Sequence, residues 1–189
     1  MGFVLRLLGA LVVAVVLGLG SAYLSVRPGF GGEIVNGPWS TSLTTGGADA
    51  DMYTRASVAI GGLLALNKDE TIYYNATTDS AGETLNGACT YRVEGRDPDA
   101  RWWSITVYAK DHFLVDTSTR RWSVTKNSVV RSADGAFVVR LSQTEEPNNW
   151  IATAADGFQL TLRLYHPAAS VKDDPATVAL PAIVKEACS

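Results

Sequence analysis

Residues 100–115 read Ala-Arg-Trp-Trp-Ser-Ile-Thr-Val-Tyr-Ala-Lys-Asp-His-Phe-Leu-Val, and the alternation inside this run constrains the fold more than any other feature of the chain. Trp103, Ile105 and Val107 share one parity; Trp102, Ser104, Thr106 and Tyr108 share the other. Successive side chains of a strand point to opposite faces, so this run of aromatic and β-branched residues predicts a strand with one buried face. Lys110-Asp111-His112 predicts a polar turn, and Phe113-Leu114-Val115 a return strand, as in a hairpin.

The same period recurs downstream. Strands are expected over Thr71–Ala76, Cys89–Val93, Arg121–Thr125 and Ser128–Arg131. Phe137, Val139 and Leu141 face inward in the next one. In the last, Phe158, Leu160, Leu162 and Leu164 share a face opposite Gln159, Thr161, Arg163 and Tyr165. Turn signals separate these runs: Asp79-Ser80-Ala81-Gly82, the charged segment 94–100 with Pro98, Ala133-Asp134-Gly135, Glu145–Asn149, and Asp173-Asp174-Pro175 before a C-terminal tail. Short, regularly spaced strands predict a mainly β fold, an antiparallel β-sandwich or jelly-roll-like domain. One helix is expected over residues 50–66, capped by Asp49. Its stripe is Met52, Ala56, Ala59, Ile60, Leu63 and Leu64, with Met52 and Tyr53 read as core.

Phe3–Val26 is apolar apart from Arg6 and small residues, long enough to span a bilayer core. It reads as a transmembrane helix, residues 1–26, with the lipid bilayer as partner. The alternative is a cleaved signal peptide with Gly20 and Ala22 before the cut. Either sends the remainder out of the cytoplasm. Residues 27–48, rich in Gly and Pro, are expected to form a connector without regular structure. Trp39 there packs on the domain or sits at the membrane interface. Residues 49–189 then form one domain. The two cysteines fit export: a Cys89–Cys188 disulfide would close a loop of about 100 residues, worth on the order of 4–5 kcal/mol in the chain-entropy model. In a cytosolic protein they would be two free thiols. A formal net charge of −3 argues against a nucleic-acid partner, which needs a basic face.

Candidate chemistry is sparse. The chain has two histidines. Asp111-His112 suggests a base with its orienting carboxylate, but lacks a positioned nucleophile, and an exposed turn explains it better. His166, at a strand end, reads as packing or solvent-exposed. Asp134-Gly135 and Asp173-Asp174 lack the alternating oxygen ligands of a calcium loop and read as turns. No CxxC motif or Cys/His cluster suggests a metal site, Gly29-Phe30-Gly31-Gly32 lacks the context of a phosphate loop, and no cofactor is expected. The group with most potential is Trp102, Tyr108, Arg140, Arg163 and Tyr165, all on the non-core parity of their strands. If those strands adjoin, they form an aromatic–arginine surface for a carbohydrate ring, a carboxylate or a partner protein. Alternatively they line the inside of the second sheet, with the arginines paired to Glu83, Glu94 or Asp116.

Several segments together resemble the DUF1214 family of bacterial domains. They are Gly82-Glu83-Thr84-Leu85-Asn86-Gly87 followed by Tyr91, Arg101–Tyr108, Asp111–Val115, Asp134-Gly135, Asn149-Trp150 and Phe158–Pro167, in family order over roughly residues 70–168. The chain departs at Thr117-Ser118, where the family carries Asn-Pro, and at Ile151–Ala154, where it carries prolines. The resemblance implies a jelly-roll-like sandwich and supplies no catalytic residues. It also implies a separately encoded DUF1254-type protein as partner, because that companion domain is absent here. The expected protein is a single-pass bacterial inner-membrane protein with a periplasmic, non-catalytic accessory or binding module. The alternative is a periplasmic hydrolase or carbohydrate-active enzyme using Asp111 and His112.

Overall fold

The computed structural model describes residues 2–25, 33–60 and 64–188. In chain order the elements are α1 (Gly2–Ser25), β1 (Ile34–Asn36), β2 (Trp39–Thr41), α2 (Met52–Ile60), β3 (Thr71–Ala76), β4 (Cys89–Gly95), β5 (Ala100–Ala109), β6 (Ser123–Thr125), β7 (Phe137–Ser142), β8 (Trp150–Ala152), β9 (Phe158–Pro167), α3 (Ala169–Asp173) and β10 (Ala182–Cys188). The strands form two sheets. One has six strands in the order β1-β2-β3-β9-β5-β6, antiparallel throughout; the other has four, β10-β4-β7-β8, with β7 and β8 parallel. The sandwich-like, mainly β architecture follows from the alternation.

The ten-residue strands β5 and β9 pair along their whole length, from Ala100 opposite Pro167 to Ala109 opposite Phe158. This register puts Trp103 beside Leu164, Ile105 beside Leu162 and Val107 beside Leu160, all fully buried. The second sheet answers with Tyr91, Val93, Val139, Leu141 and Ile183. Across the gap Trp103 stacks on Phe137 at 5.0 Å, and Tyr91 meets Phe158 edge-on at 5.7 Å. Cys89 and Cys188 lie directly opposite each other on β4 and β10 and form a disulfide spanning 99 residues. It fastens the C-terminal strand to the sheet.

Several expectations need correction. The Gly/Pro-rich segment carries the β1–β2 hairpin, turned at Gly37 with φ 59°, and joins the six-stranded sheet. Trp39 is 1% exposed and donates its indole N–H to the Pro181 carbonyl at 2.7 Å. Burying one large ring repays a hairpin that propensity would not form. Phe113–Val115 is not a return strand: only Leu114 bridges to Tyr108, Phe113 is 73% exposed, and β6 supplies the return ten residues later. Ser128–Arg131 is likewise not a strand, while β8, β10 and α3 are elements the alternation did not reveal. Helix α2 is shorter than residues 50–66 and is capped by Asp51, not Asp49. The Asp51 carboxylate accepts from Tyr53 N, Thr54 N and the Thr54 hydroxyl, bonds that hold its pKa below the usual range. Met52 and Tyr53 are solvent-exposed, not core; Leu64 lies beyond the helix, 99% exposed, and Leu63 lies outside the described residues.

Side chains from the first strands also pin the C-terminal tail. Asn36 donates to the Val178 carbonyl at 2.8 Å, and the fully buried Tyr74 donates its hydroxyl to Pro175 at 2.9 Å. Burial, with a smaller contribution from the Asp174 charge, pushes the Tyr74 phenol up to about 12 from 10.0. A folded-state pKa above the unfolded one gives stability that is complete below pH 10 and lost as pH rises toward 12. Wild-type protein should therefore lose about 2–3 kcal/mol of unfolding free energy across that window. In Tyr74→Phe the lost hydrogen bond should cost about 1 kcal/mol at neutral pH, and the alkaline loss should shrink. Urea titrations at pH 8 and pH 11, between which about 1.4 kcal/mol of that loss falls, check both; an unchanged alkaline loss in the variant would assign it to another group.

Candidate binding face

One face of the six-stranded sheet covers the core; the other faces away from it, and the segment after α2 reaches it at Tyr73, whose hydroxyl accepts from Leu66 N at 2.9 Å. Its outward positions follow from register. They include Val35 on β1, Ser40 on β2, Thr71, Tyr73 and Asn75 on β3, then Gln159, Thr161, Arg163 and Tyr165 on β9. Trp102, Ser104, Thr106 and Tyr108 follow on β5, with Ser123 and Thr125 on β6. Neighbouring outward side chains on adjacent strands touch, and these form a connected layer.

Arg163 is its centre. Its Nη2 donates to the Tyr108 hydroxyl at 2.7 Å and its Nη1 to Thr106 Oγ1 at 3.2 Å. Its guanidinium carbon lies 5.9 Å from the Tyr73 ring centre and 5.5 Å from that of Tyr108, so two ring faces flank the cation. Ser104, Thr106 and Thr161 are less than 10% exposed although they face outward, because these larger neighbours overlie them. The Thr161 hydroxyl donates to Asn75 Oδ1 at 2.8 Å. Four residues along β5 from Thr106, Trp102 stands opposite Tyr165, their rings edge-to-face at 5.1 Å.

Four of the five proposed binding residues, Trp102, Tyr108, Arg163 and Tyr165, are thus brought together. Arg140 is not among them. It lies on β7 in the other sheet, opposite Arg92, and pairs with Glu186 at 2.6 Å and Glu146 at 3.2 Å beside a hollow of about 440 Å³. The alternative burial inside the sandwich does not hold either: the face points away from the core, and Arg163 bonds to hydroxyls with no carboxylate in ion-pair range among the described residues. Residues the sequence reading missed are Tyr73, Thr106 and Gln159. Outward parity marked the last two; their roles depend on strand neighbours that alternation does not name.

The candidate catalytic pair is separated by its own hydrogen bonds. Asp111 Oδ1 accepts from Phe113 N at 3.0 Å, closing the turn, whereas His112 Nδ1 lies 2.7 Å from Gln159 Nε2. With the amide donating, the neutral imidazole carries its proton on Nε2. His112 sits at φ 68°, a left-handed turn position, and its ring borders the face next to Tyr108, which pairs with Gln159. His166 lies 3.7 Å from Glu70 on the surface. Among the described residues no three His, Cys, Asp or Glu side chains group as metal ligands.

These features define a two-sheet β domain with an N-terminal apolar helix and one open polar–aromatic sheet face. The chain belongs to the protein family of unknown function DUF1214, whose model matches residues 70–169. Among solved structures, the VPA0106 protein from Vibrio parahaemolyticus is similar in fold. The TM-score is 0.59 at 21% identity, over 74% of this chain and 36% of that one. A Burkholderia cenocepacia protein matches with a TM-score of 0.43 at 20% identity, over 62% of this chain and 29% of that one. The chain therefore spans about a third of the length of these structures. No curated protein matches it.

The segments that carry the family likeness hold the fold together. Asp79, ahead of Gly82–Gly87, accepts from Ala81 N and Glu83 N at 2.9 Å each and closes that turn. Gly87 lies against the backbone of Ala154, where an added Cβ would come within 1.8 Å of its carbonyl oxygen. The Asn149 amide accepts from Val130 N and donates to the carbonyls of Val130 and Val138, while Trp150 donates to Ser142. Only Arg101–Tyr108 and Phe158–Pro167 also contribute to the open face.

A double-mutant cycle on Trp102 and Tyr165 should yield a coupling of about 0.5–1.5 kcal/mol, as edge-to-face rings give. The cycle on Trp102 and Arg140, in different sheets, should yield a coupling near zero. Equal couplings in the two cycles would contradict this placement.

Proposed function

We propose that this protein is a membrane-anchored, non-catalytic β-module that uses the open face of its six-stranded sheet for recognition outside the cytoplasm. In a bacterial inner membrane, α1 anchors the chain by a single pass and the sandwich is periplasmic. The observation that carries the reading is the connected layer around Arg163: a positioned cation, flanking rings and bonded hydroxyls without a nucleophile joined to His112. Helix α1 supports the anchor. It is 24 residues long, apolar and unburied, and about 36 Å of helix matches a bilayer core. A signal sequence would share those properties. The disulfide supports an oxidising compartment. The partner in this reading is another envelope protein, a DUF1254-type chain being one the family resemblance suggests.

Two measurements test the proposal. Thiol alkylation of protein taken directly from cells should find Cys89 and Cys188 blocked; free thiols would place the domain in a reducing compartment. Protein extracted from its own membranes should retain its N-terminal segment and migrate as a complex that Trp102→Ala with Arg163→Gln dissociates while the fold persists. A monomer indifferent to those substitutions, or one beginning near Tyr23, would overturn the anchored-module reading. The hydrolase alternative predicts that His112→Ala abolishes function in a folded protein.

A further inference from the structure

We infer that the open face binds an acidic oligosaccharide, stacking a sugar ring at Trp102 and Tyr165 and holding a carboxylate on Arg163. This rests on the module reading, in which the open face is the recognition surface, and assigns that face a saccharide in place of a protein partner.

Charge comes first. Arg92, Arg96, Arg131 and Arg140 each pair with a carboxylate within 3.2 Å; Arg163, like Arg55, Arg101, Arg120 and Arg121, pairs with none among the described residues, and its register places it in the middle of the open face. No outward position of β2, β3, β9, β5 or β6 carries an Asp or Glu. A guanidinium has five N–H donors, and Thr106 and Tyr108 take two, leaving three with no partner among the described residues. Because its rotamer is already fixed by those bonds and by two rings, an incoming carboxylate gains a charge-assisted pair without ordering the side chain.

The rest of the face decides what carries the carboxylate. Beside Arg163 the sheet offers the amides of Asn75, exposed, and Gln159, half-buried, which suit a ligand rich in hydroxyl groups. A protein interface of standard size has an apolar centre. Here the centre is the arginine, and the Trp102–Tyr165 rings lie to one side, half-buried and open to stacking. One arginine at the centre of the face, on a chain of net charge −3, does not suit a polyphosphate backbone. The spacing sets the length. Trp102 and Thr106, which receives the guanidinium, are four residues apart on one strand, roughly 13 Å. Tyr165 is two residues from Arg163 on β9, but the guanidinium reaches away from it to Thr106 and Tyr108; two or three linked rings bridge the span from the ring pair to the cation.

Isothermal titration of the full chain in detergent micelles tests this with trisaccharides of galacturonate, mannuronate and guluronate, their methyl esters and the monomers. At least one trisaccharide should bind, and its ester and its monomer should bind at least tenfold more weakly. Arg163→Gln and Trp102→Leu should each weaken it at least tenfold, while Arg140→Gln on the other sheet should not. If no trisaccharide binds, if ester and acid bind equally, or if Arg163→Gln binds like wild type, the inference is overturned. Should Arg163→Gln fail to fold, the ester comparison on wild-type protein decides alone. A protein complex that depends on Trp102 and Arg163, without saccharide binding, would overturn this inference and leave the module reading standing. Saccharide binding without any complex would do the reverse to the subunit role.

Discussion

The pairing of β5 with β9 is the constraint on which everything else in the sandwich depends. Both strands run ten residues, and their register sets two surfaces at once. Inward, Trp103, Ile105 and Val107 meet Leu164, Leu162 and Leu160 to make the floor of the core; outward, Trp102, Thr106 and Tyr108 meet Tyr165, Thr161 and Gln159. Side chains alternate with a period of two, so a slip of β9 by one residue would bury Arg163 and expose Leu160, Leu162 and Leu164. The core thus protects the register, and the register assembles the face. The two strands are about fifty residues apart in sequence, so this pairing requires closing a long loop before any contact rewards it.

That logic also marks what was legible in the sequence. The alternation in β5, β7 and β9 identified strands and their buried parity because one face of each is packed. Parity says which side of its own strand a residue occupies, not which sheet the strand joins. Arg140 was grouped with Arg163 for that reason, and lies instead in a ladder with Arg92 and Glu186. Phe113 and Leu114 looked like strand residues by composition, but no neighbouring strand takes their backbone beyond one bridge. The β1–β2 hairpin was hidden by its glycines and proline, and depends on Trp39 and Asn36 reaching a tail 139 or more residues away. β10 buries fully only Ile183 and so shows little alternation; its partner is fixed by backbone pairing and by Cys188.

The division of labour among the family segments is equally physical. Asp79, Gly87, Asn149 and Trp150 each satisfy buried backbone groups or permit close backbone approach, and such positions tolerate few alternatives. They specify how loops return to the sandwich. The outward side chains of β3, β5 and β9 make no comparable demand on the fold. A position free of folding duty is where recognition can be written, and fold membership alone says nothing about what is written there.

An antiparallel sheet can leave one face to water, and here the face is left open at mid-sheet. Its edges are short three-residue strands, β1 and β6, which offer little backbone for unwanted pairing. The N-terminal segment enters at the β1 edge, and the disulfide closes the other sheet. The disulfide therefore lies away from β3, β9 and β5. A cation without a carboxylate persists in that centre because two aromatic faces and two hydroxyl oxygens stabilise it while it remains half in water. An apolar residue at position 163 would forfeit the bonds to Thr106 and Tyr108; the arginine keeps them and still has three N–H donors with no partner among the described residues, which packing alone does not require.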